Sequence, residues 1–205
     1  MTIRHAERVL VPALTAQVGA GEVLVVTGPS GAGKSSLLAW LAGLLEPPLT
    51  GAGRVLLDGR DLTPLPVEQR RIGLLFQDDL LFPHLSVRDN LLFAVPAGAR
   101  AARIARAEAA LAEAELDGLG QRRPHALSGG QRSRVALLRA LLGEPRALLL
   151  DEPFARLDTA LRERMRRFTW ERLRARGVPA VLVTHDPDDA PPGAQRVDLA
   201  PPARP

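Results

Sequence analysis

The run Gly28-Pro29-Ser30-Gly31-Ala32-Gly33-Lys34-Ser35 fills every fixed position of a phosphate loop, G-x-x-x-x-G-K-[ST]. A nucleotide polyphosphate packs several negative charges into a small volume, and this spacing answers that charge. The glycines let the backbone curl until successive N–H groups point inward as an anion nest. Lys34 is placed to reach the β- and γ-phosphates. The Ser35 hydroxyl is a hard oxygen donor suited to Mg²⁺. Three more sites carry groups of matching chemistry: Gln77, the pair Asp151-Glu152, and His185. Transfer of a phosphoryl group to water needs positioning, charge neutralisation and a group that orients the nucleophile. Asp151 suits Mg²⁺, directly or through water. Glu152 suits the attacking water, His185 the γ-phosphate, and Gln77 the metal or the water.

These residues need elements that deliver them to one place. Glu22 to Thr27 reads EVLVVT, an apolar strand running into the loop, and Ser35 to Leu45 reads as an apolar helix with Gly43 near its end. That helix adds the positive end of its dipole to the phosphate site. Arg71 to Phe76 is a strand ending at Gln77. Ala147 to Leu150 is a buried strand ending at Asp151-Glu152-Pro153. Ala180 to Val183 delivers Thr184-His185-Asp186. Ligands of open α/β sheets sit outside the carboxyl ends of the strands, where these side chains would meet.

The rest is read more coarsely. Thr2 to Arg4 and Val9 to Val11 are short strands. Pro47-Pro48 and Gly51-Ala52-Gly53 read as a loop, and Asp58-Gly59 as a hairpin turn after a strand at Arg54 to Leu57. Ser86 caps a short helix through Phe93, 99–116 favours helix, and Ser128-Gly129-Gly130-Gln131 opens a helix from Arg132 to Leu142. Asp158 to Ala175 is an amphipathic helix ended by Gly177. A last strand falls at Arg196 to Leu199, before a loose tail with Pro201, Pro202 and Pro205.

Composition limits the options. With 205 residues, 46% of them hydrophobic, the chain suits one domain with its own core. It has no cysteine, so disulfides and thiolate metal sites are excluded. No apolar stretch approaches the roughly eighteen residues needed to span a bilayer, and the N-terminus lacks a signal-peptide core. The net charge of +4 comes from arginines interspersed with glutamate, which reads as solvated helix faces rather than a nucleic-acid surface.

The order phosphate loop, Gln77, Leu127-Ser128-Gly129-Gly130-Gln131, Leu148-Leu149-Leu150-Asp151-Glu152-Pro153, Asp158, His185 resembles an ATP-binding cassette (ABC) ATPase, whose signature is the LSGGQ run. Gln69 through Asp78 and Leu65 through Phe93 resemble more narrowly the small YnjD-type ATP-binding subunits of bacterial importers, with thiamine, iron and molybdate importer ATPases around them. The resemblance implies an α/β fold: a P-loop NTPase (RecA-like) core with an N-terminal antiparallel β-subdomain and an inserted α-helical subdomain. The core and β-subdomain would take 1–77 and 136–205, and the helical subdomain 78–135. It implies ATP and Mg²⁺ as ligands, with Ser36 beside Ser35 at the phosphates and with Ser35, Gln77 and Asp151 around the metal. It also implies a head-to-tail homodimer. Ser128, Gly129, Gly130 and Gln131 of one subunit would clamp the nucleotide in the other's phosphate loop, with the Asp158 loop across the interface.

Partners follow from the same resemblance. Leu80, Leu81, Phe82, Pro83 and Leu85 would dock a transmembrane permease subunit, with a solute-binding protein in the complex, at the cytoplasmic face of the inner membrane. Two departures stand out. There is no Tyr to stack on adenine, leaving His5 near that position, and Arg156 replaces the small residue usual before Leu157-Asp158. The early end after His185 implies no regulatory C-terminal domain. The alternatives are an exporter ATPase, or a non-transport ABC ATPase acting on DNA or the ribosome. The latter group usually carries a long coiled-coil insertion, zinc-binding cysteines or a second cassette, none of which this sequence has.

Overall fold

The computed structural model describes residues 1–199. The expected Pro201–Pro205 tail lies outside them. Its centre is a five-stranded, wholly parallel sheet in the order β10-β3-β9-β8-β7. The strands are β3 (Val23–Thr27), β7 (Ile72–Leu75), β8 (Ala147–Asp151), β9 (Ala180–Val183) and β10 (Gln195–Asp198). In β3, β8 and β9 nearly every residue is apolar and buried, as a strand covered on both faces requires. Alternation sorts them between two cores. Val23, Val25, Leu148, Leu150 and Leu182 face a core built with helices α3 (Val87–Ala94), α4 (Arg100–Glu113), α5 (Gly129–Leu142) and α6 (Thr159–Arg176). Leu24, Val26, Leu149 and Val183 face the other core, with α1 (Lys34–Ala42) and the N-terminal strands.

Those strands form an antiparallel sheet, β2-β1-β4, of β1 (Thr2–His5), β2 (Arg8–Val11) and β4 (Leu49–Ala52). β4 corrects the loop expected at 47–53. Its glycines suggested a break, but Gly51 is a packing residue: a Cβ there would collide with the Trp40 indole, which is buried beneath it. The Asp58-Gly59 hairpin joins β5 (Leu56–Leu57) to β6 (Arg60–Asp61), so the first of its strands is shorter than expected. The short helix α2 (Val67–Arg70) has no counterpart in the expectations. Its Arg70 is buried and donates to the carbonyls of Trp40, Leu41, Thr63 and Leu65, closing the C-terminal end of α1.

Residues 78–135 form mostly helix. Ser86 caps α3 by accepting from the Asp89 N–H. Asn90, wholly buried, pins the preceding loop through both directions of exchange with Phe82 and a bond to the Ser86 carbonyl. α5 starts at Gly129, earlier than the Arg132 expected, because Ser128 and Gln131 form a reciprocal capping box.

Candidate active site

The register of the parallel sheet brings the carboxyl ends together. Leu75 pairs with Leu150, Asp151 with Val183, and Val183 with Val26. Gly28, Gln77, Glu152 and Thr184 therefore leave the sheet at one edge.

At the end of β3 the phosphate loop turns through left-handed backbone at Gly31 and Gly33 (φ 78° and 89°). A Cβ on Gly31 would meet nothing within 4 Å, leaving an open hollow above the loop, whereas one on Gly33 would strike Val11 of β2. Ala32 is completely buried, and the loop closes as its N–H donates to the Pro29 carbonyl at 3.2 Å. Pro29 and Ser30 form the exposed rim, and Ser36 follows Ser35 in the first turn of α1. Lys34 folds back over the loop, donating to the carbonyls of Gly28 (2.8 Å) and Pro29 (2.9 Å). These are positions a phosphate oxygen would compete for.

The Ser35 hydroxyl donates to Asp151 at 2.7 Å. Asp151 is 7% exposed, and burial raises its carboxyl above the ordinary 3.8. The Ser35 hydrogen bond and the Lys34 charge pull the other way, and the neighbouring Glu152 charge adds to the rise. Ser35, Ser36 and Asp151 also line one end of a cleft of about 430 Å³ that continues to Phe76 and Pro47.

Glu152 sits in left-handed backbone at φ 50°, unusual for a side chain of its size. Its N–H donates to Val183 O at 2.9 Å, and its carboxylate lies 2.6 Å from His185 Nδ1. Glu152 and Gln77 line one small pocket together with Ser133 and Arg156. The structure thus brings Gln77, Glu152 and His185 together at the strand ends, and Ser35 to Asp151.

Ser128, Gly129, Gly130 and Gln131 stand at the N-terminus of the fourteen-residue α5, with Ser128 exposed. Asp158, also exposed, caps α6 by accepting from the Leu161 N–H. His5 is exposed at the end of β1, in the sheet whose β2 packs on the phosphate loop.

A cluster around Asp79 was not foreseen. Its carboxylate accepts from Ser133 (2.8 Å) and Arg156 (3.0 Å) and lies 3.4 Å from Arg132, while Arg156 also reaches Asp78. It joins the segment after Gln77, the first turns of α5 and the loop after Glu152. The departure at Arg156 was the one signal of it in the sequence.

This arrangement has close matches among known proteins. A family model described as ABC transporter covers residues 11–155. The chain belongs to the ABC transporter family. It is 44% identical to the uncharacterized ABC transporter ATP-binding protein YnjD of Escherichia coli K12, over 98% of this chain and 93% of that one. It is 48% identical to the thiamine import ATP-binding protein ThiQ of Cereibacter sphaeroides, over 88% of this chain and 78% of the relative. Among solved structures, the dimeric post-hydrolysis state of the ATP-binding cassette MJ0796, bound to ADP and Pi, superposes with a TM-score of 0.82. It is 31% identical, over 94% of this chain and 87% of that one. The α/β P-loop fold is therefore that of an ABC ATPase, and the chain is an ATP-binding, ATP-hydrolysing domain. No helix among the described residues is long and apolar enough to cross a membrane.

Proposed function

We propose that this chain is the nucleotide-binding subunit of a bacterial ABC importer, a homodimer that couples ATP hydrolysis to a separate permease at the cytoplasmic face of the membrane. The observation that carries the hydrolytic part is the Glu152–His185 contact at the strand ends, beside the Lys34 loop and the Ser35–Asp151 pair. Importer function is supported by the thiamine import relative, and a homodimer by the dimeric solved neighbour.

Each residue has a role that its surroundings support. Backbone N–H groups of the loop after Pro29 and of the first turn of α1, with the Lys34 ammonium, bind the phosphates, Lys34 exchanging its two loop carbonyls for phosphate oxygens. Ser35 and Asp151 suit Mg²⁺: a hydroxyl and a carboxylate converge at 2.7 Å, and the buried carboxylate has a raised pKa that a hard cation would relieve. Gln77 is the third oxygen donor of this set. Bound there, the ion would supply neutralisation of phosphate charge. Glu152 polarises the attacking water. His185 holds that carboxylate through Nδ1, which leaves Nε2 as the nitrogen that would serve the γ-phosphate. At the start of α5, the first-turn N–H groups of Gly129 and Gly130 have no helical acceptor, so the Ser128 end of one subunit is an anion site for the nucleotide of the other. Asp158 belongs to the interface between them. The resulting domain division is 1–77 with 136–205 as core and β-subdomain, and 78–135 as the helical lobe.

The permease surface is the loop after Gln77. Leu80 is 57% exposed and Phe93 is 70% exposed. The Phe82 ring packs edge-on against Phe93 at 4.8 Å under the Arg139 guanidinium. Pro83 is exposed and Leu81 and Leu85 are half-buried, so Phe93 joins the five residues named from sequence.

The test is Glu152→Gln. Turnover should fall by about 10²–10⁴-fold, with ATP retained and a dimer trapped, as read by phosphate release and light scattering. Wild-type phosphate release from the variant would sink the assignment.

A further inference from the structure

His185 is a poor candidate to hold its own position, because its side chain is 68% exposed and no packed wall surrounds it. Its contact with Glu152 therefore depends on where the backbone of 184–189 is held. That segment is anchored from one face of α6, where Arg162 makes the shortest contacts and Arg166 approaches Asp189 at 3.7 Å. Arg162 donates from Nε to Asp189 Oδ1 at 2.8 Å and from Nη2 to Asp189 Oδ2 at 2.7 Å, while its Nη1 lies 3.0 Å from Asp186 Oδ2. All three guanidinium nitrogens are thus spent on the two carboxylates that follow His185.

The anchor is buried at its base. Asp189 is 1% exposed, and it also takes the Thr184 hydroxyl at 2.6 Å, while its carbonyl accepts the Trp170 indole N–H. The Thr184 oxygen accepts in turn from the Asp186 N–H. The residues on both sides of His185 are therefore tied into one charge-assisted network. A forked guanidinium fixes two directions at once, which a lysine ammonium does not. Arg162 sits one turn into α6, and its own N–H donates to the carbonyl of Asp158, the cap of that helix.

We infer that Arg162 is a positioning residue for hydrolysis: through Asp186 and Asp189 it holds His185 against Glu152, and it ties that contact to the Asp158 loop. The inference rests on the reading of Glu152 and His185 as the hydrolytic pair. Motion of the Asp158 loop on dimer closure would then reach His185 mainly through Arg162, the one α6 side chain that grips both Asp186 and Asp189. A mere structural ion pair would leave the Glu152–His185 geometry unaffected by its loss.

The experiment uses the whole chain labelled with ¹⁵N-histidine, which gives signals from four imidazoles, His185 being assigned with His185→Gln. In the wild-type background, Glu152→Gln should move the His185 imidazole signal. In Arg162→Gln that dependence should vanish, while the other three histidines stay in place. In parallel, Arg162→Gln with Glu152 intact should lower kcat by about 10²-fold, the scale of a misplaced catalytic group. KM for ATP should stay within about twofold, because the phosphate loop is untouched. Arg162→Lys keeps the charge in the buried pocket, loses the fork, and should fall between the two; it carries the test if Arg162→Gln does not fold. A His185 signal that still responds to Glu152 in a folded Arg162 variant overturns the inference. So does a signal that ignores Glu152 in the wild type, or a rise in KM at constant kcat. The imidazole arm is read without turnover, so a chain that failed to hydrolyse ATP would count against the proposed function and leave this inference to its own result.

Discussion

Asp151 is a single residue whose burial in the fold opposes its own ionisation. Burial raises its carboxyl, with only the Ser35 hydroxyl and the Lys34 charge opposing. The unfolded chain ionises at the ordinary 3.8, and the folded chain at a higher pH. The stability this difference provides is fully present below the unfolded value and is lost as pH rises through the folded one. Asp151→Asn should therefore raise the melting temperature of the nucleotide-free chain at neutral pH. The two proteins should converge as pH falls below the ordinary 3.8, where the carboxyl is protonated in both the folded and the unfolded chain. With Mg-ATP the order should reverse, because the wild type alone gains the ligand's full stabilisation. Differential scanning fluorimetry across pH checks both. An Asn variant no more stable than wild type at neutral pH would contradict the burial argument. Glu152 carries a cost of its own, held in left-handed backbone that few side chains adopt.

Among the elements, β4 is the instructive one. Its sequence, Leu49-Thr50-Gly51-Ala52, has little strand propensity and lies between prolines and glycines. It becomes a strand because β1 pairs with it and because Gly51 leaves room for Trp40. Gly51→Ala should cost about 1–3 kcal/mol by overpacking. That is a fall of about 2–12 °C in melting temperature for a chain of this size, with ATP affinity preserved because Trp40 lies near the C-terminal end of α1 and the phosphate loop at its N-terminal end. An unchanged melting temperature would mean the indole moves aside at no cost. The helix starts behaved differently. Ser86, Ser128 and Asp158 each cap the helix that follows, through local bonds three residues long. Such signals are contained in short sequence windows, so they could be read in advance.

At the scale of the whole molecule, the proposed function gives one chain two anion sites, the phosphate loop and the α5 N-terminus, and a nucleotide clamped by both would require two copies. Ser128→Arg adds bulk and charge at the second site and removes a cap worth about 1 kcal/mol. In the Glu152→Gln background it should bind ATP as a monomer with affinity within about twofold of the parent, while light scattering shows no dimer. A dimer of normal stability would remove Ser128 from the clamp.

Sequence alone named the residues of the candidate site. The phosphate loop, the LSGGQ run, Asp151-Glu152 and His185 are each short, contiguous and placed at one strand end or helix start, so local spacing singled them out. It also determined the parallel core strands, because strands buried on both faces must be apolar throughout. Tertiary structure decided what depends on partners far along the chain. β4 exists through pairing with β1, and Phe93 joins Phe82 through packing. Asp79 meets Arg156 and Ser133, and Arg162 reaches across to Asp186 and Asp189. A charged residue in an arginine-rich helix looks the same in sequence whether it faces water or a buried carboxylate. Only the packing of α6 against the loop after β9 distinguishes Arg162 from its solvated neighbours.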